Sequence, residues 1–187
     1  MNAIILAGGK ATRLNGISKG LLTFQNQPLI EIIIKNISPF AKKIIISANT
    51  NDYDYLKLPI IKDKIKDIGP IAGLVSGLEY SDEEMNLIVS CDSPFVSQQI
   101  IEKLILNTQS VNCIIPKIKE NIQPLCAIYF KSILPIAYSQ INKKDFKLQH
   151  LIQQSKAMFV EFPEEYKLFF ANINTKEDVE QFLQSNK

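Results

Sequence analysis

The sequence predicts an α/β protein built on a mostly parallel sheet. Short apolar runs alternate with longer amphipathic stretches through the first two-thirds of the 187 residues, a pattern typical of βα units. The run from Ala3 to Leu6 is aliphatic throughout, which indicates a strand covered on both faces. Two amphipathic stretches open near a proline, Pro28 and Pro70, and proline suits the first turn of a helix.

In the first two-thirds of the chain, predicted strands and helices follow one another in the order expected of a parallel sheet. Apolar residues at helical spacing mark each helix, and short β-branched runs mark each strand. In chain order we predict strand 3–6, helix 28–37, strand 44–47, strand 59–61, helix 69–78, strand 86–90, helix 100–106 and strand 112–116.

The C-terminal third departs from this rhythm. Gln123-Pro124 separates the strand at 112–116 from another apolar run at 125–130, and no crossover helix fits between them, which predicts an antiparallel edge or a hairpin. Thr175 and Asp178 form a capping sequence that opens a terminal helix. The remaining predicted elements are helices 132–141 and 147–153 and strands 158–161 and 169–173.

Length and composition predict one soluble domain over residues 1–187, which is long enough to bury a substantial core. No apolar run approaches the roughly 18 residues of a membrane helix, and the N-terminal run has no basic leader, so we expect neither membrane insertion nor export. The net charge of +2 comes from dispersed lysines, which argues against nucleic acid as a partner. The three cysteines lie in apolar runs without zinc or disulfide spacing, which favours a reducing cytoplasm.

The loop after the first strand predicts a triphosphate site. Gly8 and Gly9 allow the backbone to approach phosphates and to offer its N–H groups, while Lys10, Arg13 and Lys19 add positive charge. The loop lacks both the Gly-Lys-Ser/Thr of a P-loop and the glycine pattern of a dinucleotide site. An ordinary turn with solvated lysines is the alternative for the loop taken alone.

Other predicted strand ends add polar and small residues, and ligands of open α/β sheets bind at the carboxyl edge. Asp92 directly follows strand 86–90, where a carboxylate can hold Mg²⁺ or simply cap a turn. Asp63 follows strand 59–61 and either accepts a hydrogen bond from a base or ribose or is a solvated loop residue. The segment 69–73 permits close approach of a ligand or tight helix packing.

Taken together, these segments resemble the signature of the molybdenum cofactor guanylyltransferases, within the nucleotidyltransferase superfamily. The opening motif Leu-Ala-Gly-Gly-Lys-Ala-Thr-Arg-Leu is shared across the superfamily, whereas the Asn-Ile-Asn-Thr ending narrows the likeness. The matching segments are 6–14, 18–22, 27–29, Asp63, 69–73, 91–95, 123–125 and 170–175.

This resemblance implies a three-layer, Rossmann-like nucleotidyltransferase fold. It implies transfer of GMP from GTP to the terminal phosphate of Mo-molybdopterin, forming Mo-molybdopterin guanine dinucleotide and releasing pyrophosphate with Mg²⁺ as cofactor. The N-terminal part is expected to bind GTP and Mg²⁺, and the C-terminal part the acceptor. Because the pterin is labile, we also expect partner proteins that deliver the cofactor or the apoenzymes that accept it.

The resemblance also implies site residues. Lys19 would meet the phosphates, Asp63 the guanosine end, and Asp92 both nucleotide and metal; Arg13, as a cation of the loop, is expected to join Lys19 and Asp92 in catalysis. Catalysis then rests on charge and alignment, because a phosphate nucleophile is already ionised and needs no general base. The full set implied for the nucleotide is Leu6, Ala7, Gly8, Gly9, Lys19, Ser47, Asp63 and Asp92.

Several points stay open in the sequence. By direct register Ser47 takes the place of the family's asparagine, but Asn49 is also a candidate. Ser18 stands where an acid often precedes the lysine, so we expect Lys19 to lack a neighbouring carboxylate, and Leu14-Asn15-Gly16 replaces the usual Met-Gly after Arg13. Asn172 and Asn174 either line the acceptor pocket or end the last strand. Alternative functions are a cytidylyltransferase for the same pterin, a sugar-phosphate nucleotidyltransferase and a non-catalytic nucleotide-binding module.

Overall fold

A computed structural model of the chain describes residues 1–8, 18–107, 110–175 and 178. Within these ranges an eight-stranded, mostly parallel sheet lies between two helical layers, which confirms the predicted α/β class. Its strands are β1 Asn2–Leu6, β4 Ile44–Ser47, β5 Ile60–Ile61, β6 Met85–Ser90, β7 Cys113–Ile118, β8 Asn121–Ile122, β9 Cys126–Phe130 and β10 Ala157–Glu161; β2 Thr23–Phe24 and β3 Gln27–Pro28 form a separate hairpin. The sheet order is β10-β7-β9-β6-β1-β4-β5, with β8 paired to β7.

Two hydrophobic clusters fix the helical layers on opposite faces of the sheet. Side chains of the central strand β1 alternate between the two clusters: Ala3 and Ile5 belong to one, and Ile4 and Leu6 to the other. The two-residue period of a strand requires this alternation. Residues of α1 and α3 pack in the first cluster and residues of α2, α4 and α5 in the second. The helices are α1 Leu29–Ile37, α2 Pro70–Tyr80, α3 Gln98–Ile105, α4 Leu134–Asn142 and α5 Leu148–Gln154.

The carboxyl ends of four parallel strands meet at one edge of the sheet. β1 pairs in parallel with β4 and β6, and β4 pairs in parallel with β5. The Ala7 N–H donates to the Ser47 carbonyl at 2.8 Å and the Cys91 N–H to the Leu6 carbonyl at 3.0 Å. The segments that follow these strands therefore leave the sheet side by side.

The antiparallel pairing predicted for the C-terminal third is confirmed as a hairpin of β7 and β8, and the strand that follows lies inside the sheet. β9 runs antiparallel to both β6 and β7, whereas the outer strands β5 and β10 are parallel to their neighbours. An apolar run gives no sign of its place in a sheet, because an interior strand and an edge strand with covered faces share the same composition.

The prediction of a strand at 169–173 is wrong. Glu164–Phe170 forms a 3-10 helix, and residues 171–174 have no regular secondary structure. The aromatic residues serve ring packing rather than strand pairing, since the ring centroids of Phe170 and Phe162 are 5.6 Å apart and those of Tyr166 and Phe162 are 5.3 Å apart.

The predicted capping contacts between Thr175 and Asp178 are confirmed, whereas the helix that they were predicted to open falls outside the described residues. The Asp178 N–H donates to the Thr175 hydroxyl at 3.1 Å, and the Asp178 carboxylate accepts the N–H groups of Thr175 and Asn174 at 2.9 and 2.7 Å. In the parts of the chain that the structure describes, no helix is long and apolar enough to cross a membrane.

Candidate functional site

A cleft opens at the carboxyl edge where β1, β4 and β5 end. We call it the Asp63 cleft; its volume is about 330 Å³, and its lining includes Leu6, Gly8, Ser47, Asp63, Gly73 and Leu125. The Asp63 carboxylate accepts the Ser47 hydroxyl at 3.1 Å and the Asn49 amide at 2.8 Å. The Asp63 N–H in turn donates to the Asn49 side-chain oxygen at 3.1 Å. Asp63 is thus a fixed acceptor at one end of the cleft, and Ser47 and Asn49 both orient it.

Two glycines, Gly8 and Gly73, leave room for the Asp63 carboxylate. A Cβ on Gly8 would lie 3.5 Å from Asp63 Oδ2, and a Cβ on Gly73 would lie 2.9 Å from the Ser47 hydroxyl oxygen and 3.5 Å from Asp63 Oδ1. The absence of side chains at these positions keeps the cleft open and lets α2 approach the sheet closely. Gly69, just before α2, has a φ of +74°, which other residues rarely adopt.

An ion pair between Lys19 and Asp92 lies at the same edge of the sheet. Lys19 begins a short 3-10 turn, Lys19–Leu21, and its Nζ is 3.5 Å from Asp92 Oδ2. Asp92 is buried, and its other oxygen accepts the Ser90 hydroxyl at 2.5 Å. A partly buried carboxylate held in this way, beside an ammonium, can bind a hard cation or the charged groups of a ligand.

The segment 172–174 closes over this pair. The Ile173 N–H donates to the Asp92 carbonyl at 2.7 Å, and the Asn174 side-chain oxygen accepts the Lys19 ammonium at 2.5 Å. Ser93 donates to the Asn172 side chain at 2.7 Å. Asn174 therefore contacts Lys19, Asn172 contacts Ser93 in the segment that follows β6, and neither asparagine ends a strand.

A second cleft adjoins the first on the side of β9. We call it the Asn172 cleft; its volume is about 360 Å³, and its lining includes Ser93, Gln123, Leu125, Phe170 and Asn172. Leu125 lines both clefts. Ser90 lines the Asp63 cleft and Ser93 the Asn172 cleft, so the chain carrying Asp92 passes between the two.

The expectation that Ser18 leaves Lys19 without a neighbouring carboxylate is wrong. Asp92 approaches the Lys19 ammonium, and the Ser18 hydroxyl donates to the carboxylate of Asp52. Both acids lie far from Lys19 in sequence, which is why a local pattern does not reveal them.

Cys91, next to Asp92, behaves as a small core residue. Burial, followed by the negative charge of Asp92, raises its thiol pKa to about 12. A thiol with such a pKa stays protonated at neutral pH and is a poor nucleophile or metal ligand.

The chain matches one family model over most of its length. Residues 3–158 fit the MobA-like NTP transferase domain. The chain belongs to this family.

Curated relatives agree with the assignment to the MobA-like family. The chain is 34% identical over 194 residues to a probable molybdenum cofactor guanylyltransferase of Clostridium perfringens, covering 100% of this chain and 98% of the relative. It is 31% identical over 184 residues to the molybdenum cofactor guanylyltransferase of Vibrio vulnificus, covering 97% and 94%.

A solved structure supports the fold. The molybdopterin-guanine dinucleotide biosynthesis protein A of Archaeoglobus fulgidus superposes with a TM-score of 0.80 at 22% identity, covering 100% of both chains. At this identity the likeness concerns the fold alone.

The MobA-like fold brings most of the predicted site residues to one edge. Leu6, Gly8, Ser47 and Asp63 line the Asp63 cleft, Ala7 lies between Leu6 and Gly8, and Lys19 pairs with Asp92. The predictions for Gly9 and Arg13 fall outside the described residues. The sequence did not reveal that Ser90 binds Asp92, that Asp52 binds Ser18 or that Leu125 lines both clefts. Of these three residues, only Ser90 lies at a position that suggests a site, the end of an apolar strand.

Proposed function

We propose that this chain is a molybdenum cofactor guanylyltransferase, which transfers GMP from GTP to Mo-molybdopterin and releases pyrophosphate. The observation that supports this most directly is the pair of clefts that meet at Leu125, with the Lys19–Asp92 pair beside the junction. A transferase must bring two substrates to one reacting atom, and two adjoining clefts suit that requirement. Membership of the MobA-like family and the names of the relatives supply the substrate class.

We assign GTP to the Asp63 cleft and the pterin to the Asn172 cleft. Each oxygen of Asp63 already accepts one hydrogen bond, and a carboxylate oxygen has a second acceptor position. Guanosine presents N–H and O–H groups that can donate to Asp63, whereas a base without such donors would leave the remaining acceptor positions of this half-buried carboxylate unused. On this assignment the N-terminal part binds the nucleotide and the C-terminal segments bind the acceptor, within one domain.

The transfer needs alignment and charge compensation. A terminal phosphate oxygen of the acceptor attacks the α-phosphorus of GTP, and the bond from that phosphorus to the bridging oxygen of pyrophosphate breaks. Lys19 compensates the charge that develops on the phosphate oxygens, with Arg13 as a second cation. No residue has to remove a proton, because the attacking phosphate is ionised at neutral pH.

The residues at the site fit Mg²⁺ as the cofactor. Asp92 offers a hard oxygen ligand, held in place by the Ser90 hydroxyl at 2.5 Å. Among the residues that the structure describes, no group of three or more His, Cys, Asp and Glu side chains is arranged to hold a metal, and Mg²⁺ takes most of its ligands from water and phosphate. When bound, it would neutralise phosphate charge.

We also propose a cytoplasmic setting, supported by the free, buried state of Cys91, Cys113 and Cys126. As further partners we propose proteins that deliver the labile pterin or accept the finished cofactor. These proteins would have to exchange it at the Asn172 cleft.

The decisive assay measures pyrophosphate release from each nucleoside triphosphate with Mg²⁺ and Mo-molybdopterin. We expect release with GTP that depends on both the pterin and the metal. Release with CTP but not GTP would replace the proposal by a cytidylyltransferase. GTP binding without release under any of these conditions would indicate a non-catalytic nucleotide-binding module.

A further inference from the structure

The Lys19 ammonium reaches its partners on a long, flexible stem. Four carbons and several rotatable bonds separate it from the backbone, so the position of the backbone sets the region that the ammonium can reach. Lys19 lies in a short 3-10 turn, Lys19–Leu21, which is closed by the Leu21 N–H to the Ser18 carbonyl at 2.9 Å and by the Leu22 N–H to the Lys19 carbonyl at 3.0 Å. The turn is too short to hold itself in place.

Two consecutive residues of another segment hold this turn from both sides of Lys19. The Ser18 hydroxyl donates to the Asp52 carboxylate. On the other side, a Cβ on Gly20 would lie 2.9 Å from the Tyr53 hydroxyl oxygen and 3.2 Å from Tyr53 Cε1. Tyr53 is fully buried and limits how far Gly20 can move, whereas Asp52 accepts a directional hydrogen bond from Ser18.

We propose that Asp52 is a positioning residue, which fixes Ser18 and through it aims Lys19 at the phosphates of the bound triphosphate. This inference rests on the proposed function, because Lys19 meets phosphates only if the chain binds a nucleotide. Asp52 is exposed, so water and salt screen its charge. It therefore acts through the geometry of the hydrogen bond rather than through its field at Lys19.

The test compares variants at two acids of the same segment. Asp52→Ala removes the acceptor for Ser18, whereas Asp54→Ala removes an exposed carboxylate two residues further on, at the start of the 3-10 turn Asp54–Leu56. Each variant is assayed for pyrophosphate release across GTP concentrations with Mg²⁺ and Mo-molybdopterin, and its Tm is measured.

We expect Asp52→Ala to raise the KM for GTP and to lower kcat, so that kcat/KM falls about 10- to 100-fold, since a misplaced catalytic group costs factors of this size. Asp54→Ala should match the wild-type protein. Asp52→Ala should lower the Tm by about 2 to 4 °C relative to Asp54→Ala, because it leaves the buried Ser18 hydroxyl without its acceptor at a cost of about 1 kcal/mol, and both variants are assayed well below their Tm. Asp52→Asn, which keeps an acceptor oxygen for Ser18 without the charge, should recover most of the activity.

A swap of the two groups tests the bond itself. In the double variant Ser18→Asp/Asp52→Ser the hydroxyl and carboxylate are exchanged, and we expect it to be more active than Asp52→Ala. If Asp52→Ala keeps wild-type kcat/KM, or loses activity only in proportion to unfolded protein with KM unchanged, the inference is wrong. Those outcomes leave the proposed function intact, whereas a wild-type protein that releases no pyrophosphate from any triphosphate overturns both.

Discussion

Replacement of Gly73 by alanine tests whether the close approach of α2 forms the nucleotide site. The added Cβ would lie 2.9 Å from the Ser47 hydroxyl oxygen and 3.1 Å from Leu6 Cδ2, so the Ser47 side chain must turn away and lose its hydrogen bond to Asp63. That loss costs about 1 kcal/mol, and the crowding costs about 1 to 3 kcal/mol more. Alanine regains about 1 kcal/mol of helix propensity, which leaves a net destabilisation of about 1 to 3 kcal/mol.

The same substitution one helical turn later is the matched control. A Cβ on Gly77 would lie 2.7 Å from Ile4 Cγ2 and 3.0 Å from Ile4 Cδ1, in the core rather than in the cleft. Ile4 is fully buried on the central strand, so Gly77→Ala should lower the free energy of unfolding by at least as much as Gly73→Ala.

The two variants should differ in nucleotide binding. Gly73→Ala disturbs Asp63, and loss of one good hydrogen bond to the ligand corresponds to about a tenfold rise in the KM for GTP, whereas Gly77→Ala should leave this KM unchanged. Urea unfolding gives the stabilities, and pyrophosphate release gives the KM. An unchanged KM in Gly73→Ala, or an equal rise in both variants, would refute this reasoning.

Three further predictions concern charge and titration. Asp92→Asn keeps an acceptor for Ser90 but not the charge, so turnover should fall about 100-fold or more with Tm unchanged; near-normal turnover would remove the metal role. Tyr138→Phe removes a 2.5 Å hydrogen bond to Glu79 and should lower the free energy of unfolding by about 1 kcal/mol at pH 7. Hydrogen bonds from Lys64 and then from Tyr138 lower the pKa of Glu79 from 4.5. Urea unfolding should therefore show the difference between variant and wild type shrinking as the pH falls below 4.5. Stability should also fall above about pH 8.5 as cysteines ionise in the unfolded chain only, by roughly 2 kcal/mol per cysteine at pH 10; urea midpoints that stay constant from pH 8 to 10 would contradict this. Burial raises the thiol pKa values to about 12, 11 and 12 for Cys91, Cys113 and Cys126.

The sequence predicts the central strands correctly because a continuous aliphatic run has one physical cause, burial of both faces of a strand. β1, β4 and β6 are buried on both faces, and such strands carry continuous aliphatic runs between their ends. Sequence reasoning missed the hairpin of β2 and β3, whose two-residue strands are too short for a pattern and whose turn uses Gln25 and Asn26 at positive φ without the usual glycine. It also mistook the aromatic run at 169–173 for a strand, because composition does not separate ring packing from strand pairing.

The site was predictable in part for the same reason. Asp63 and Asp92 each follow a strand, and parallel strands share their carboxyl edge, so their proximity follows from the fold class. The partners that hold the site are separated by long stretches of chain. Lys19 and Asn174 are 155 residues apart, and Ser18 and Asp52 are 34 apart, and no local spacing encodes such contacts.

The reversed strand β9 determines how the two clefts divide. Because β9 is antiparallel to β6, its amino end lies beside the carboxyl end of β6, and the Ser90 N–H donates to the Leu125 carbonyl at 2.9 Å. A parallel β9 would put Phe130 at this edge and Leu125 about 16 Å away, at roughly 3.3 Å per residue. The reversal therefore brings Gln123 and Leu125 next to the segment that carries Asp92, and Leu125 becomes the wall that both clefts share. The departure from a fully parallel sheet thus creates the second cleft, in which we place the acceptor.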